Sequence, residues 1–177
     1  MRRFVINISL ILIAFIIYFF QENFFSWFTI AGVMPNLFVI YILFIGLFSG
    51  RNKGTLYGLI IGLLLDILVG NKMGIYTITL GAVGLSAGIF EKNFSKDSKI
   101  TIILMVAGLT FAYEVIVYVL KHFMMDTNLE IWFFIRILFV EIIYNLILTI
   151  IFYPLFKKFG YYIENEYKGD KILTRYF

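Results

Sequence analysis

Long apolar stretches, separated by short polar segments, make up most of the chain. Stretches of this length and composition are typical of transmembrane helices. The six predicted spans cover about residues 4–20, 35–49, 54–69, 75–90, 100–120 and 131–156. The pattern therefore predicts an all-α integral membrane protein with six transmembrane helices in a single bundle, followed by a polar tail at residues 157–177.

The first stretch opens like a signal peptide but lacks a cleavage site. Arg2 and Arg3 come before it, whereas residues 21–24 follow it without small side chains. We therefore expect it to remain as the first span. Residues 22–34 are rich in aromatic side chains, which predicts an interfacial belt or a short segment that dips into the membrane.

Glycines spaced four residues apart define the third span. Such a series lies on one slowly drifting stripe of a helix, and Asp66 takes the next place after the glycines. In a membrane, small residues let a second helix pack backbone to backbone. The fourth span has its own row of small residues, so we expect the two spans to form an antiparallel pair. The predicted helix-packing seam comprises Gly50, Gly54, Gly58, Gly62, Gly81, Gly84 and Gly88.

Several polar residues fall inside predicted spans, where an unpaired charge is costly. They are Asp66, Glu114, Arg136, Glu141 and Asn145. With a rise of about 1.5 Å per residue, Glu114 and Arg136 lie at similar depths below the outer ends of their spans. We therefore predict a Glu114–Arg136 ion pair, which Asp66 could join. This polar cluster either holds the helices together or lines an outer pocket or partner-binding cleft, and the ready pairing favours the first interpretation.

Composition excludes several kinds of site. Of the 177 residues, 62% are hydrophobic and 15% are charged, so one membrane domain accounts for the whole chain. There is no cysteine, and His122 is the single histidine, which leaves no Cys/His set for a metal ion. We predict neither a metal nor any other cofactor.

The formal charge of +4 indicates membrane topology rather than nucleic-acid binding. Lysine and arginine concentrate in the loops on the side of both termini, against Lys72 and Lys121 on the other side. Because cationic loops stay in the cytoplasm, both termini are predicted to be cytoplasmic. The cations on that side are Arg2, Arg3, Arg51, Lys53, Lys92, Lys96, Lys99, Lys157, Lys158, Lys168, Lys171 and Arg175.

One motif resembles the nucleophile turn of a serine hydrolase. Residues 84–88 fit the pattern G-x-S-x-G, and six spans suggest a rhomboid-type intramembrane protease. Ser86, however, would lie about 18 Å below the outer surface, where His122 is expected. A general base must come within about 3 Å of the serine. Small residues at a helix seam explain the pattern better, and we predict no enzyme.

Residues 32–37 read Gly-Val-Met-Pro-Asn-Leu, and the glycine series after them ends in Asp66-Ile-Leu-x-Gly-x3-Gly. In this combination the chain resembles the rod shape-determining protein MreD family. That family has an aspartate where this chain has Asn36, and Leu-Gly or similar where this chain has Met73 and a glycine. The elbow motif of the family corresponds to Pro35, Asn36, Gly70 and Gly74.

The resemblance implies a non-enzymatic scaffold in the bacterial inner (cytoplasmic) membrane, within the cell-elongation machinery that regulates cell shape. Its main partner would be MreC. It would link MreB filaments to lateral peptidoglycan synthesis by RodA and the elongation transpeptidase. The fold would be similar to that of the substrate-binding subunits of energy-coupling-factor transporters.

That similarity of fold keeps an alternative function open. The chain could be a small-molecule (vitamin) binding subunit of such a transporter, with Asp66, Glu114 and Arg136 in its pocket. Against this, the first span has Ala14 but no repeated alanine spacing of the kind that docks an energising module.

Overall fold

The described part of the chain is predominantly helical. The computed structural model describes residues 2–70, 73–91, 96, 98–125 and 130–173. Its helices are α1 (Arg2–Phe20), α2 (Leu37–Ser49), α3 (Arg51–Val69), α4 (Ile75–Phe90), α5 (Lys99–Met125) and α6 (Ile131–Leu173), with a π-helical turn at Gln21–Phe25 after α1. The predicted all-α class with six helices is confirmed.

Helix lengths divide the bundle into two groups. The segments Phe4–Phe25, Arg51–Val69, Lys99–Met124 and Ile131–Tyr167 are long and apolar enough to cross a membrane. By contrast, α2 has 13 residues and α4 has 16. At about 1.5 Å per residue, α2 extends only about 20 Å, against a hydrocarbon thickness of about 30 Å. Two of the six predicted spans are therefore short helices packed against longer ones.

The short helix α2 forms the centre of the bundle. All its residues from Phe38 to Ser49 are buried, and it contacts α1, α3, α4, α5 and α6. A helix that is apolar on every side is expected to be surrounded by protein. The Tyr41 hydroxyl donates a hydrogen bond of 2.8 Å to the Leu10 carbonyl, which fixes α2 to α1.

The last helix is longer than the sequence pattern predicts. The pattern places its end near residue 156, but α6 continues to Leu173 with Pro154 inside it. The predicted span at residues 131–156 is therefore only the first part of a helix that includes the predicted polar tail as far as Leu173, and residues 174–177 lie outside the described residues. Tertiary contacts beyond Pro154 outweigh the local cost of a proline inside a helix.

These contacts join the last turns of α6 to the rest of the bundle. Gly160 packs against the Phe48 ring of α2, and Tyr167 donates a hydrogen bond to Asn7 Oδ1 of α1. The Tyr57 hydroxyl of α3 donates to the same oxygen at 2.8 Å. Because these groups lie near both chain termini, we call this the terminal end of the bundle and the opposite end the far end.

Two of the predicted loop cations, Lys53 and Lys96, have partners at the terminal end. Lys53 lies over the Tyr167 ring, 2.7 Å from its centroid. Lys96 Nζ lies 2.5 Å from Glu164 Oε1 and 3.6 Å from Glu91 Oε1. Among the other predicted loop cations, Lys72, Lys92 and Arg175 lie outside the described residues.

Candidate functional site

The glycine seam is a junction of three helices in which backbones touch. A Cβ atom added at Gly54 of α3 would lie 2.6 Å from the Gly84 carbonyl oxygen of α4 and 2.7 Å from the Gly46 Cα of α2. Such distances are shorter than any ordinary van der Waals contact, so no side chain fits there. The contact is mutual, because a Cβ atom on Gly84 would collide with the Gly54 carbonyl oxygen.

The same close approach continues along α3 and α4. A Cβ atom on Gly58 would collide with the Leu80 carbonyl, and one on Gly62 with the Tyr76 carbonyl. At the other end of α4, a Cβ atom on Gly88 would collide with the backbone where α3 begins. The structure thus places these glycines where α3 and α4 pack backbone to backbone, as small residues permit in membrane helices.

Two glycines of the predicted seam have different surroundings, and one further glycine belongs to it. Gly50 joins α2 directly to α3 with φ +85°, which glycine adopts without steric cost. A Cβ atom on Gly81 would meet the flexible Leu59 side chain rather than backbone. Gly46 was missed, although it continues the four-residue spacing one step before Gly50. Because α2 ends and α3 begins at Gly50, the spacing alone does not show that Gly46 of α2 packs against the same glycines.

Asp66, at the end of the glycine series, caps the next helix. Its Oδ2 accepts hydrogen bonds from the Gly74 amide at 2.9 Å and from the Thr77 amide and hydroxyl at 3.0 and 2.6 Å. Its Oδ1 accepts from the Tyr76 amide at 2.9 Å. A carboxylate there satisfies amides left free in the first turn of α4 and offsets the positive end of its dipole.

The turn between α3 and α4 explains why Asp66 reaches that position. Gly70 ends α3 with φ +68°, and Gly74 precedes α4 with φ +106°. Both values lie in the left-handed region that favours glycine. The predicted link of Asp66 to Glu114 and Arg136 is therefore replaced by a local role, since the hydrogen bonds that Asp66 accepts from described residues come from residues 74–77.

Pro35 and Asn36, the other half of the predicted elbow, begin α2 at the far end. The Asn36 side chain accepts from the Val39 amide at 3.3 Å, an ordinary helix cap. The backbone amide of Asn36 donates to Asn145 Oδ1 of α6 at 2.7 Å. Asn145 Nδ2 in turn donates to Thr110 Oγ1 of α5 at 3.1 Å. One buried side-chain amide therefore links three helices.

The predicted Glu114–Arg136 ion pair is not formed. Arg136 is exposed, and its guanidinium donates to the Ala31 carbonyl at 2.9 Å, while Glu114 lies beside Glu141. The prediction used depth along the helix but not rotation about its axis. At 3.6 residues per turn, positions 136 and 141 point about 140° apart, so the side of α6 that faces Glu114 is the one bearing Glu141.

Behind these carboxyl groups lies a cavity of about 350 Å³ at the far end, between α1, α2, α3, α4, α5 and α6. We call it the far-end cavity. Its polar lining includes Gln21, Glu22, Asn36, Tyr76, Glu114, Lys121 and Glu141. Glu141 is buried, and its Oε1 has no hydrogen-bond partner within the described part of the chain. The cavity can therefore accept a hydrogen-bond donor, and among the described residues that line it three carboxyl groups outnumber one amine.

The segment before α2 forms one wall of this cavity. Ile30 and Val33 bond to each other through both backbone groups, at 3.0 and 2.9 Å, in a tight turn. Ala31 in that turn has φ +54°, an uncommon value for a residue with a side chain. Arg136 holds its carbonyl, and the Tyr144 hydroxyl donates to the Phe28 carbonyl at 2.7 Å. Both anchors therefore come from α6.

The two residues of the protease interpretation, Ser86 and His122, lie on separate helices. Ser86 lies in α4 beside the seam glycines, and His122 lies in the last turns of α5. Across the described ranges, no three histidine or acidic residues are grouped so that they could hold a metal ion.

Comparison with known proteins gives one finding. A protein-family model described as "rod shape-determining protein MreD" matches residues 2–163 of the chain. No curated protein and no solved structure matches. The matched range includes the glycine junction, the Asp66 cap and the far-end cavity.

Proposed function

The chain belongs to the rod shape-determining protein MreD family, and we propose that it is a non-enzymatic membrane scaffold of the bacterial cell-elongation machinery. The family points to a role in rod shape determination. In this proposal the protein contributes surfaces to an assembly that builds the lateral peptidoglycan wall.

The observation that best supports a scaffold is that two buried polar side chains, Asp66 and Asn145, hold the bundle itself together. Asp66 accepts four hydrogen bonds from the start of α4, and Asn145 joins α5 and α2 to α6. With α3 and α4 in backbone contact, these bonds give a rigid bundle. A rigid bundle is the property required of a protein that positions its partners.

The partners we propose are MreC above all, then MreB filaments, RodA and the elongation transpeptidase. Two exposed apolar surfaces are available for contacts within or beside the membrane. One is α1, which presents Phe4, Leu12 and Phe19 outward. The other is the segment before α2, where Trp27 and Phe28 are exposed. Exposed aromatic residues of this kind are frequent both at membrane interfaces and in protein interfaces.

We further propose that the protein lies in the bacterial inner membrane, with both termini in the cytoplasm. Support comes from the terminal end, where Lys53, Lys96, Lys99, Lys157 and Lys158 gather. Cytoplasmic loops carry such an excess of cations. Fusion of a reporter that is active only in the cytoplasm to each terminus tests this orientation.

The function is tested by depletion and complementation in rod-shaped cells. Depletion should give rounded cells, and the wild-type chain should restore rods and co-purify MreC after mild solubilisation. Gly58→Leu should fail in both respects, because its side chain would force α4 away from α3. The matched control is Gly108→Leu, since the space beside Gly108 in α5 is open, and it should behave as wild type.

Two outcomes would contradict the scaffold proposal. One is rods of normal width after depletion. The other is full recovery of MreC with Gly58→Leu at normal protein levels, which would remove the link between the seam and partner binding.

A second candidate function is a small-molecule binding subunit of an energy-coupling-factor type transporter. It is favoured by the far-end cavity, whose volume of about 350 Å³ lies within the usual range of ligand pockets. Equilibrium dialysis of the purified protein against a set of vitamins separates the two functions. Saturable binding that is lost in Glu141→Gln would favour the transporter subunit, and its absence would favour the scaffold.

A further inference from the structure

A second open space lies between α5 and α6, at the terminal end rather than the far end. It is a groove of about 740 Å³, which we call the lysine groove. Ile103 of α5 and Ile150, Ile151 and Pro154 of α6 form its apolar walls. Lys99, Lys157 and Lys158 also line it. No aspartate or glutamate occurs among the described residues that line this groove.

Helix register shows that the three lysines lie at one end of the groove. The Asn145–Thr110 hydrogen bond sets α5 against α6 at a known level. Counting about eleven residues along each antiparallel helix brings Lys99 level with about residue 156. Lys99 is therefore next to Lys157 and Lys158, while Ile103 lies about 6 Å and Ile150 about 9 Å deeper into the bundle at about 1.5 Å per residue.

Aromatic residues hold one lysine of the groove in place. Lys157 Nζ lies 5.9 Å from the ring centroids of both Tyr153 and Tyr161. Tyr153 is buried, so this ring cannot follow the ammonium group away from the groove. Lys157 is half-buried, whereas Lys99 and Lys158 are exposed. The result is a cluster of positive charge, with Lys157 held against two rings, above an apolar channel.

We propose that the lysine groove binds one anionic phospholipid, with its phosphate among the three lysines and its acyl chains along the isoleucines. The cluster of positive charge favours an anionic group, and the apolar walls favour hydrocarbon attached to it. A zwitterionic lipid satisfies only the second requirement, and a soluble phosphate compound only the first. Basic sites between membrane helices are known to suit anionic headgroups in this way.

Native mass spectrometry of the detergent-purified full chain tests this proposal. Phosphatidylglycerol should remain bound at concentrations where phosphatidylcholine of the same chain length does not. Substituting glutamine for Lys99, Lys157 or Lys158 should weaken phosphatidylglycerol binding about fivefold per lysine. Lys158→Arg keeps the charge and should bind as wild type, and Lys121→Gln removes a charge at the far end and should also bind as wild type.

The results that would overturn the proposal are specific. Equal retention of the two lipids, or unchanged phosphatidylglycerol binding in the triple glutamine variant, would show that the groove does not select an anionic lipid. An equal loss in Lys121→Gln would indicate diffuse charge attraction instead. Displacement of phosphatidylglycerol by millimolar glycerol 3-phosphate would assign the site to soluble phosphate compounds. None of these outcomes bears on cell rounding after depletion, so the scaffold proposal is tested separately.

Discussion

Two helix pairs in this bundle, α3–α4 and α5–α6, differ in what lies between them. Between α3 and α4 there is almost nothing, because Gly54 and Gly84 place the two backbones in contact. Between α5 and α6 the contacts are made by side chains, among them the Asn145–Thr110 hydrogen bond. The lysine groove lies between α5 and α6 at the terminal end, and at the far end both helices also line the cavity to which all six helices contribute.

The comparison shows how small residues decide where a membrane bundle is solid and where it is open. A pair joined by glycine can exclude ligands and resist a change of angle. In a pair of helices held apart by longer side chains, space remains between the backbones. Each buried polar group there needs its own hydrogen-bond partner. The seam therefore gives the bundle its shape, and the α5–α6 pair gives it its open spaces.

The largest expected effect comes from filling the seam. Gly84→Leu would drive a side chain into the Gly54 carbonyl, and backbone cannot move aside as a side chain can. We expect a loss of more than about 4 kcal/mol of stability or no folded protein. Thermal unfolding in detergent measures this, and Gly108→Leu on α5 serves as the control. A Gly84→Leu variant that unfolds at the wild-type temperature would refute the backbone contact.

The second-largest effect is expected at Asp66, which caps α4 in the same helix pair. Asp66→Ala leaves four donors without an acceptor, which we expect to cost about 2–4 kcal/mol in the free energy of unfolding. Asp66→Asn keeps one acceptor oxygen and should lose less. Thr77→Val removes only one of the four bonds and should lose least. If all three variants were equally stable, the carboxylate would not be needed to begin α4.

On the α5–α6 side a polar substitution should have a smaller effect. Asn145→Ala removes two hydrogen bonds, and single interhelical bonds in membranes contribute about 0.6–2 kcal/mol each. We therefore expect a loss of about 1–3 kcal/mol in the free energy of unfolding. The matched variant Thr110→Val breaks one of the two bonds and should lose about half as much. A larger loss for Thr110→Val than for Asn145→Ala would contradict this network.

The smallest effect is predicted at the far-end cavity, and its sign is opposite. Glu141→Gln replaces a buried carboxyl beside Glu114 with a neutral amide that can donate a hydrogen bond. We expect stability to rise by about 1 kcal/mol or less, since a buried charge next to a like charge is unfavourable. Glu130→Gln, at an exposed position before α6, should change nothing. A clear loss in Glu141→Gln would mean that the carboxylate has a partner in the folded protein.

Periodicity predicted the seam more successfully than the polar cluster. A four-residue repeat places the residues of the series on the same face of a helix, so the spacing alone assigns Gly54, Gly58 and Gly62 to a packing face. Glu114 and Arg136 share only a level, and level alone does not say which way a side chain points. Asp66 shows a further limit of prediction from sequence. Its partners are mostly backbone amides across a turn, and every residue type except proline has a backbone amide, so the sequence does not single them out.

The central position of α2 had a signal that is easy to overlook. Its residues show no polar face, which in a bundle indicates burial on all sides, although the same pattern also fits a lipid-exposed span. The path of α6 beyond Pro154 had a weaker signal, since the spacing of Gly160, Ile163 and Tyr167 competes with the proline and the lysines around it. Distant contacts with α1 and α2 decided the outcome, and no local pattern encodes contacts between residues so far apart in the chain.

The length of α6 has a mechanical consequence. Its 43 residues extend about 64 Å, roughly twice the hydrocarbon thickness, so one continuous helix runs from the anchors of the Ile30–Val33 turn to the terminal end of the bundle. A partner protein that tilts the part of α6 beyond Pro154 would move Arg136 and Tyr144 in the first part of the helix. The wall of the far-end cavity would move with them. Pro154 is a natural pivot for that movement, because its missing amide leaves the helix easier to bend there.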